Sequence, residues 1–68
     1  MTLDCRGMLC PLPVIKLAQA LPKVEVGHTI TVLADDPAAA TDIPAWCRMR
    51  SQELVSAADN QYVVRRTS

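Results

Sequence analysis

The hydrophobic residues of this 68-residue chain recur with a period of two in some segments and close to 3.6 in others. Near the N-terminus, Leu3 and Cys5 fall on one face of an extended segment, which predicts a strand at residues 2–6. A run of β-branched residues predicts a second strand at residues 29–34. Two further strands are predicted at residues 53–58 and 61–67, because the pair Asp59-Asn60 between them is typical of a hairpin turn.

A first helix is predicted from Pro11 to about Ala20. It ends there because Pro22 excludes the helical conformation from the residue before it. Apolar residues at i, i+3, i+4 and i+7 form the stripe that this helix should bury, namely Val14, Leu17, Ala18 and Leu21.

A second helix is predicted to start at Asp35-Asp36-Pro37, since an acidic cap followed by proline is typical of a helix N-terminus. Pro44 complicates this helix, because a proline in a helix interior costs about 3 kcal/mol. We therefore expect one opening turn from Pro37 and a restart at Thr41 or Asp42, which places Pro44 in a new first turn. Positions i, i+3, i+4 and i+7 of this helix are Ile43, Trp46, Cys47 and Arg50, and Cys47 lies in its apolar stripe.

The predicted element order is β-α-β-α-β-β within one domain of residues 1–68. Right-handed β-α-β crossovers would place both helices on the same face of the sheet. The expected fold is therefore an α/β (α+β) two-layer sandwich. It has a four-stranded mixed sheet with two helices on one face, and the other face is left largely uncovered.

Charge and composition exclude several classes of protein. Seven basic and seven acidic residues give zero net charge, which argues against a general nucleic-acid binder, since such proteins displace counterions from phosphate with basic side chains. Half of the residues are hydrophobic, which is too many for a disordered tail. No apolar run approaches the roughly 20 residues that span a bilayer. Residues 1–6 lack the features of a secretory signal. We therefore expect a cytoplasmic protein.

Three cysteines and one histidine are the residues with the most distinctive chemistry. An odd number of cysteines cannot pair completely within one chain. A structural zinc site takes four ligands, usually in close cysteine pairs, and Cys5 and Cys10 have no second pair to complete one. No metal and no cofactor are expected. His28 lies far along the chain from Cys10 and is predicted to be a solvated loop residue.

The segment from Gly7 to Pro13 is the most informative part of the sequence. It joins the first strand to the first helix and places Cys10 at the predicted helix N-cap, where cysteine is a poor capping residue. Pro11 and Pro13 would stiffen the turn, and Gly7 would bend the chain before it. The amides of Cys10 and Leu12 would remain free near the sulfur, and together with the helix dipole they would lower the pKa of the thiol. These features predict a reactive Cys10.

Leu3-Asp4, Gly7 and the Cys10-Pro11-Leu12-Pro13 motif resemble the signature of the TusA-like sulfur carriers, also called SirA-like or YeeD-like proteins. The resemblance continues through residues 36–38 and 42–46 and covers nearly the whole chain. It implies a two-layer fold similar to the C-terminal domain of a bacterial translation initiation factor. It also implies that Cys10 is the catalytic residue and carries sulfur as a persulfide. The resemblance further implies that the motif residues that position Cys10 are Asp4, Gly7, Pro11, Leu12 and Pro13.

The resemblance also implies partners. The sulfur donor would be a cysteine desulfurase, a rhodanese-type enzyme or thiosulfate, and an acceptor protein would take the sulfur onward. Downstream uses in the family include tRNA thiolation, molybdenum-cofactor supply, oxidation of inorganic sulfur and work with a thiosulfate-uptake membrane protein. The sequence does not choose among these uses. No direct nucleic-acid partner is expected.

Two other functions stay open from the sequence. One is a non-enzymatic module that binds nucleic acid or regulates, which the fold resemblance suggests, although a fold does not carry a function. The other is a thiol redox switch that uses Cys5 and Cys10. Packing in the core is the favoured interpretation for Cys5 and for Cys47. Met8 and Leu9 could form an apolar contact surface around Cys10 or could pack over the first helix.

Overall fold

The computed structural model describes residues 1–68 and contains the predicted elements in the predicted order. The four strands are β1 (Thr2–Asp4), β2 (Thr29–Leu33), β3 (Glu53–Ala58) and β4 (Gln61–Arg65). The two α-helices are α1 (Leu12–Ala20), which continues into a 3₁₀ turn at Leu21–Lys23, and α2 (Ala39–Met49). Neither helix is long and apolar enough to cross a membrane.

The strands form one mixed sheet in the order β1-β2-β4-β3. Strands β1 and β2 are parallel, and the other two neighbouring pairs are antiparallel. The predicted hairpin between β3 and β4 is confirmed, because Asp59 and Asn60 both adopt positive φ angles, of 53° and 59°. Two such residues in succession are typical of the turn that matches the twist of a tight antiparallel hairpin.

Alternating burial along the strands shows which face of the sheet forms the core. Ile30 and Val32 on β2 and Tyr62 and Val64 on β4 are buried, whereas the residues between them are half-buried. The helices cover this face with a set of buried side chains that includes Leu17, Ala39, Ile43, Trp46 and Cys47. The expected two-layer sandwich of two helices and a four-stranded mixed sheet is confirmed.

Helix α2 differs from the prediction at Pro44. It is one continuous helix from Ala39, with Pro44 in its interior, so the expected restart at Thr41 or Asp42 is wrong. The turn at Pro37 leads directly into the helix, since the amide of Asp42 already donates to the carbonyl of Ala38 at 2.9 Å. Extending an existing helix is easier than nucleating a new one, and Pro44 removes only one hydrogen bond from it.

The buried stripe of α1 is also rotated from the predicted one. Pro13, Leu17 and Ala20 are the buried residues, while the expected Val14, Ala18 and Leu21 pack half-buried against the core. Only Leu17 belongs to both sets. The rotation turns Pro13 of the Cys-Pro-x-Pro motif inward, and this anchors the start of the helix in the core.

Candidate functional site

The turn that carries Cys10 lies beside the connection between β2 and α2. Strands β1 and β2 are parallel neighbours, so their carboxyl ends meet at one edge of the sheet, where ligand and reactive sites of α/β proteins gather. Two hydrogen bonds from backbone amides to carboxylate side chains join the connections: the Gly7 amide donates to Asp35 Oδ1 at 2.9 Å, and the Cys10 amide donates to Asp36 Oδ2 at 2.6 Å. Gly7 has a φ of 80°, a conformation that favours glycine.

Asp36 holds both connections with one carboxylate. Its Oδ2 atom accepts from Cys10, and its Oδ1 atom accepts from the Ala38 amide at 3.1 Å in the turn that opens α2. The predicted acidic N-cap is wrong, because the N-cap of α2 is Ala38 and no side chain caps the helix. Asp36 instead fixes the backbone of Cys10, which the sequence pattern did not indicate.

The Cys10 side chain is exposed and its sulfur contacts a second carboxylate. The Cys10 thiol donates a hydrogen bond to Asp42 Oδ2. Asp42 lies in the first turn of α2 and is half-buried. Cys10 thus sits between two acidic side chains that are 26 and 32 residues further along the chain.

The prediction that Cys10 caps the first helix with free amides around the sulfur is wrong. The N-cap of α1 is Pro11, one residue later. The Cys10 amide is taken by Asp36, and the Leu12 amide donates to the Leu9 carbonyl at 2.9 Å. Neither amide is left to stabilise a thiolate.

The predicted lowering of the Cys10 pKa is wrong in sign. The hydrogen bond to Asp42 raises the pKa of Cys10, and desolvation and the negative charges of Asp42 and Asp36 raise it further. The two ion pairs of the molecule, Arg6–Asp4 and Arg65–Glu53, involve neither carboxylate. The thiol therefore faces uncompensated negative charge, which disfavours its ionised form.

A shallow apolar groove of about 310 Å³ runs from Cys10 between the two helices. It is lined by Cys10, Pro11, Val14, Asp42, Ala45, Trp46 and Met49. Met49 in this lining is 77% exposed, and Leu9, which precedes Cys10 in the chain, is 72% exposed. Met8 fits the interpretation of a packing residue, because it is half-buried against the core. Leu9 fits the interpretation of a contact surface, because it is exposed next to Cys10.

The other two cysteines have a different setting. Cys5 and Cys47 are 1% and 2% exposed and belong to the core, as predicted for packing residues. Desolvation by burial is the main reason why the pKa of each is raised. His28 is exposed, and its backbone bonds with Glu25 and Arg66 lie at the other end of the sheet.

Asp4, a predicted motif residue, has its own partner. Its carboxylate accepts from Arg6 Nε at 2.9 Å and from Arg6 Nη2 at 2.8 Å, and these bonds lower the pKa of Asp4 to about 2. The same carboxylate accepts the Arg6 amide where β1 ends. Asp4 thus shapes the chain before Gly7 and makes no hydrogen bond to Cys10.

Sequence reasoning did not place Asp36 and Asp42 beside Cys10. The available signal was the position of Asp35 and Asp36 directly after a strand parallel to β1, because such connections share one sheet edge. Asp42 gave a weaker signal, since it lies inside α2 and not in the connection that follows β2. No group of three or more His, Cys, Asp or Glu side chains is placed to hold a metal ion.

The family model for sulfurtransferase TusA matches residues 1–66. The chain belongs to the TusA family. It is similar to a protein of Archaeoglobus fulgidus named "Putative sulfur carrier protein", with 50% identity over 52 residues that cover 76% of this chain and 68% of that protein. The crystal structure of a SirA-like protein from Desulfitobacterium hafniense superposes with a TM-score of 0.70 at 27% identity, covering 93% of this chain and 89% of the other.

Membership of the TusA family makes the chain a sulfur carrier of the sulfurtransferase type. Such a carrier interacts with a protein that donates sulfur and with a protein that accepts it. The structural similarity agrees with the α+β architecture described above.

Proposed function

We propose that this TusA family member accepts sulfane sulfur as a persulfide on Cys10 and relays it to an acceptor protein. The observation that carries the proposal is that Cys10 is the exposed cysteine, while Cys5 and Cys47 are enclosed in the core. The Pro11-Leu12-Pro13 segment that follows would keep the sulfur at the surface, since Pro13 is anchored in the core.

Transfer needs two exchange steps at sulfur. Cys10 Sγ attacks the outer sulfur of a donor persulfide, the donor S–S bond breaks, and the donor leaves as a thiol after taking up the proton that Cys10 lost. The acceptor thiol then attacks the outer sulfur of the Cys10 persulfide and regenerates Cys10. With thiosulfate as donor, sulfite is the leaving group. The sulfane sulfur moves without net oxidation, and both steps depend on thiolates as nucleophiles and leaving groups.

The groove beside Cys10 supports contact with partner proteins. Exposed apolar side chains such as Leu9 and Met49 are typical of surfaces that bind other proteins. The proposed donors are a cysteine desulfurase, a rhodanese-type enzyme or thiosulfate. The proposed uses of the relayed sulfur are tRNA thiolation, cofactor synthesis and thiosulfate or sulfur metabolism, the last including a thiosulfate-uptake membrane protein as a partner. We propose that residues 1–68 act as one TusA-like domain in the cytoplasm.

The proposal is tested by the intact mass of the protein after incubation with thiosulfate, or with a cysteine desulfurase and cysteine. We expect a gain of one sulfur atom that is lost on reduction and is absent in Cys10→Ser. The matched control is Cys5→Ala with Cys47→Ala, which keeps Cys10 as the single cysteine and should load fully. Failure of that control to load, or loading of Cys10→Ser, contradicts the proposal.

The redox-switch alternative gains no support from the position of Cys5. Cys5 is enclosed in the core, so an external thiol reaches it only after local opening. Mapping disulfides after peroxide treatment tests this alternative, and a Cys5–Cys10 bridge would favour it.

A further inference from the structure

The hydrogen bond between Cys10 and Asp42 brings together the reactive sulfur and a carboxylate that the proposed transfer does not use. Asp42 Oδ2 accepts the hydrogen bond of the Cys10 thiol, and Asp42 also lines the groove on the side of α2. The Asp42 amide donates to the Ala38 carbonyl at 2.9 Å, so the backbone that carries this carboxylate belongs to the first turn of α2.

The charges that act on the sulfur all have the same sign. Asp42 on α2 and Asp36 on the β2–α2 connection are the charged groups that influence Cys10, and α1 contributes none. No lysine or arginine lies within ion-pair distance of either carboxylate. The carboxylates of Asp36 and Asp42 are therefore free to form an ion pair with a cation from another molecule.

We propose that Asp42 is a positioning residue that holds Cys10 as a hydrogen-bonded thiol in the free carrier, and that a sulfur donor activates it by placing a cationic side chain against Asp42. This inference rests on the proposed function, because it concerns the thiol that would receive the sulfur. The apolar groove supplies contact around Cys10. Asp36 and Asp42 favour partners that present a lysine or an arginine at the centre of the contact surface.

The proton balance of the activated step is simple. A cation beside Asp42 weakens the hold of the carboxylate on the thiol proton and stabilises the thiolate. The sulfur attacks the outer sulfur of the donor persulfide, and the proton passes to the departing donor thiolate. Asp42 is unchanged at the end, and no oxidant or reductant is consumed.

The first test is the pH profile of Cys10 alkylation by iodoacetamide, which needs no sulfur donor. Asp42→Asn should move the midpoint of the profile to lower pH, whereas Asp42→Glu should keep it near that of the wild type. Each unit of the shift raises the thiolate fraction at neutral pH about tenfold. The rate rises by only about threefold per unit, because nucleophilicity falls with pKa. The matched control is Glu25→Gln, an exposed residue at the other end of the sheet, which should leave the midpoint unchanged.

The second test uses methanethiosulfonate reagents that carry an ethylammonium or an ethylsulfonate group. Their rates on the protein are divided by their rates on free cysteine, which removes the intrinsic difference between the reagents. The wild type should favour the cationic reagent severalfold at low salt, and the preference should shrink at high salt and in Asp42→Asn. The wild-type measurement needs no substitution, so it stands even if a variant does not fold.

Two results would overturn the inference: an alkylation midpoint that does not move in Asp42→Asn, and a wild-type protein with no preference for the cationic reagent. Both are independent of persulfide loading. If loading fails while the midpoint moves, the role of Asp42 at the thiol stands and the proposed sulfur transfer falls. If loading succeeds while the midpoint does not move, the proposed function stands and the role of Asp42 falls.

Discussion

The thiol pKa values of Cys10 and Cys47 are both raised, but the main cause differs. Cys47 lies inside the core on the buried stripe of α2, and desolvation is the main cause of its shift. Cys10 lies on the surface, and the main cause is its hydrogen bond to Asp42. The pKa of Cys47 stays raised as long as the core remains closed, because burial causes the shift.

The difference shows two ways in which one small domain raises the pKa of a thiol, by burial in the core and by a carboxylate at the surface. The pKa shift that burial causes disappears when the core opens. The shift that a surface carboxylate causes disappears when an approaching cation neutralises its charge. Opening of the core would therefore change the pKa of Cys47, whereas binding of a cationic partner would change the pKa of Cys10.

The largest expected effect is on the accessibility of the thiols to a disulfide reagent. Cys10 should react at once in the native protein, while Cys5 and Cys47 wait for opening of the core. For a domain stability of about 5 kcal/mol, opening slows their reaction by about 10³-fold or more. The measurement is a thiol titration with and without denaturant. Three thiols reacting at similar rates in the native protein would remove the distinction between the two regions.

A smaller effect is expected on stability when each cysteine becomes serine. Cys47→Ser places a hydroxyl in the apolar core and should lower the free energy of unfolding by about 1–3 kcal/mol. Cys10→Ser should change it by less than about 0.5 kcal/mol, since the residue is exposed and serine can still donate to Asp42. Urea denaturation measures both values. Equal losses would mean that Cys10 also contributes to the core.

The smallest expected effect is the dependence of stability on alkaline pH. The thiols of Cys5 and Cys47 have raised pKa values in the folded protein, so their contribution is fully present below the pKa of an unfolded thiol, about 8.5. It is lost as the pH rises through the folded values. The urea midpoint should therefore fall between pH 7 and pH 10, and it should fall less in Cys5→Ala with Cys47→Ala. An identical fall in both proteins would contradict the assignment.

The fold could be predicted largely because its signals are local. The period of the apolar residues, the pair Asp59-Asn60 and the prolines each act within a few residues. The two wrong helix predictions depend on contacts and helix extension over longer stretches of the chain. Pro44 lies inside α2 because the turn at Pro37 had already nucleated that helix, and the buried stripe of α1 is rotated because packing draws Pro13 into the core.

The candidate site could be predicted only in part. Cys10 stands out in the sequence because of its prolines and its position after a strand. Its electrostatic surroundings come from Asp36 and Asp42, which lie far along the chain and meet the sulfur through the parallel pairing of β1 and β2 and the packing of α2 against α1. The pKa of Cys10 was expected to fall because of the amides and the dipole at the start of α1. It is raised because two carboxylates from a distant part of the chain act on the sulfur.

The most direct test of the central claim is the location of the bound sulfur. Trypsin cleaves after Arg6, Lys16, Lys23 and Arg48, so the three cysteines fall in three separate peptides. The protein is incubated with a cysteine desulfurase and cysteine, then alkylated with iodoacetamide and digested. We predict that the additional sulfur lies only in the peptide of residues 7–16, which contains Cys10. Sulfur in the peptide of Cys5 or Cys47 instead would contradict the account.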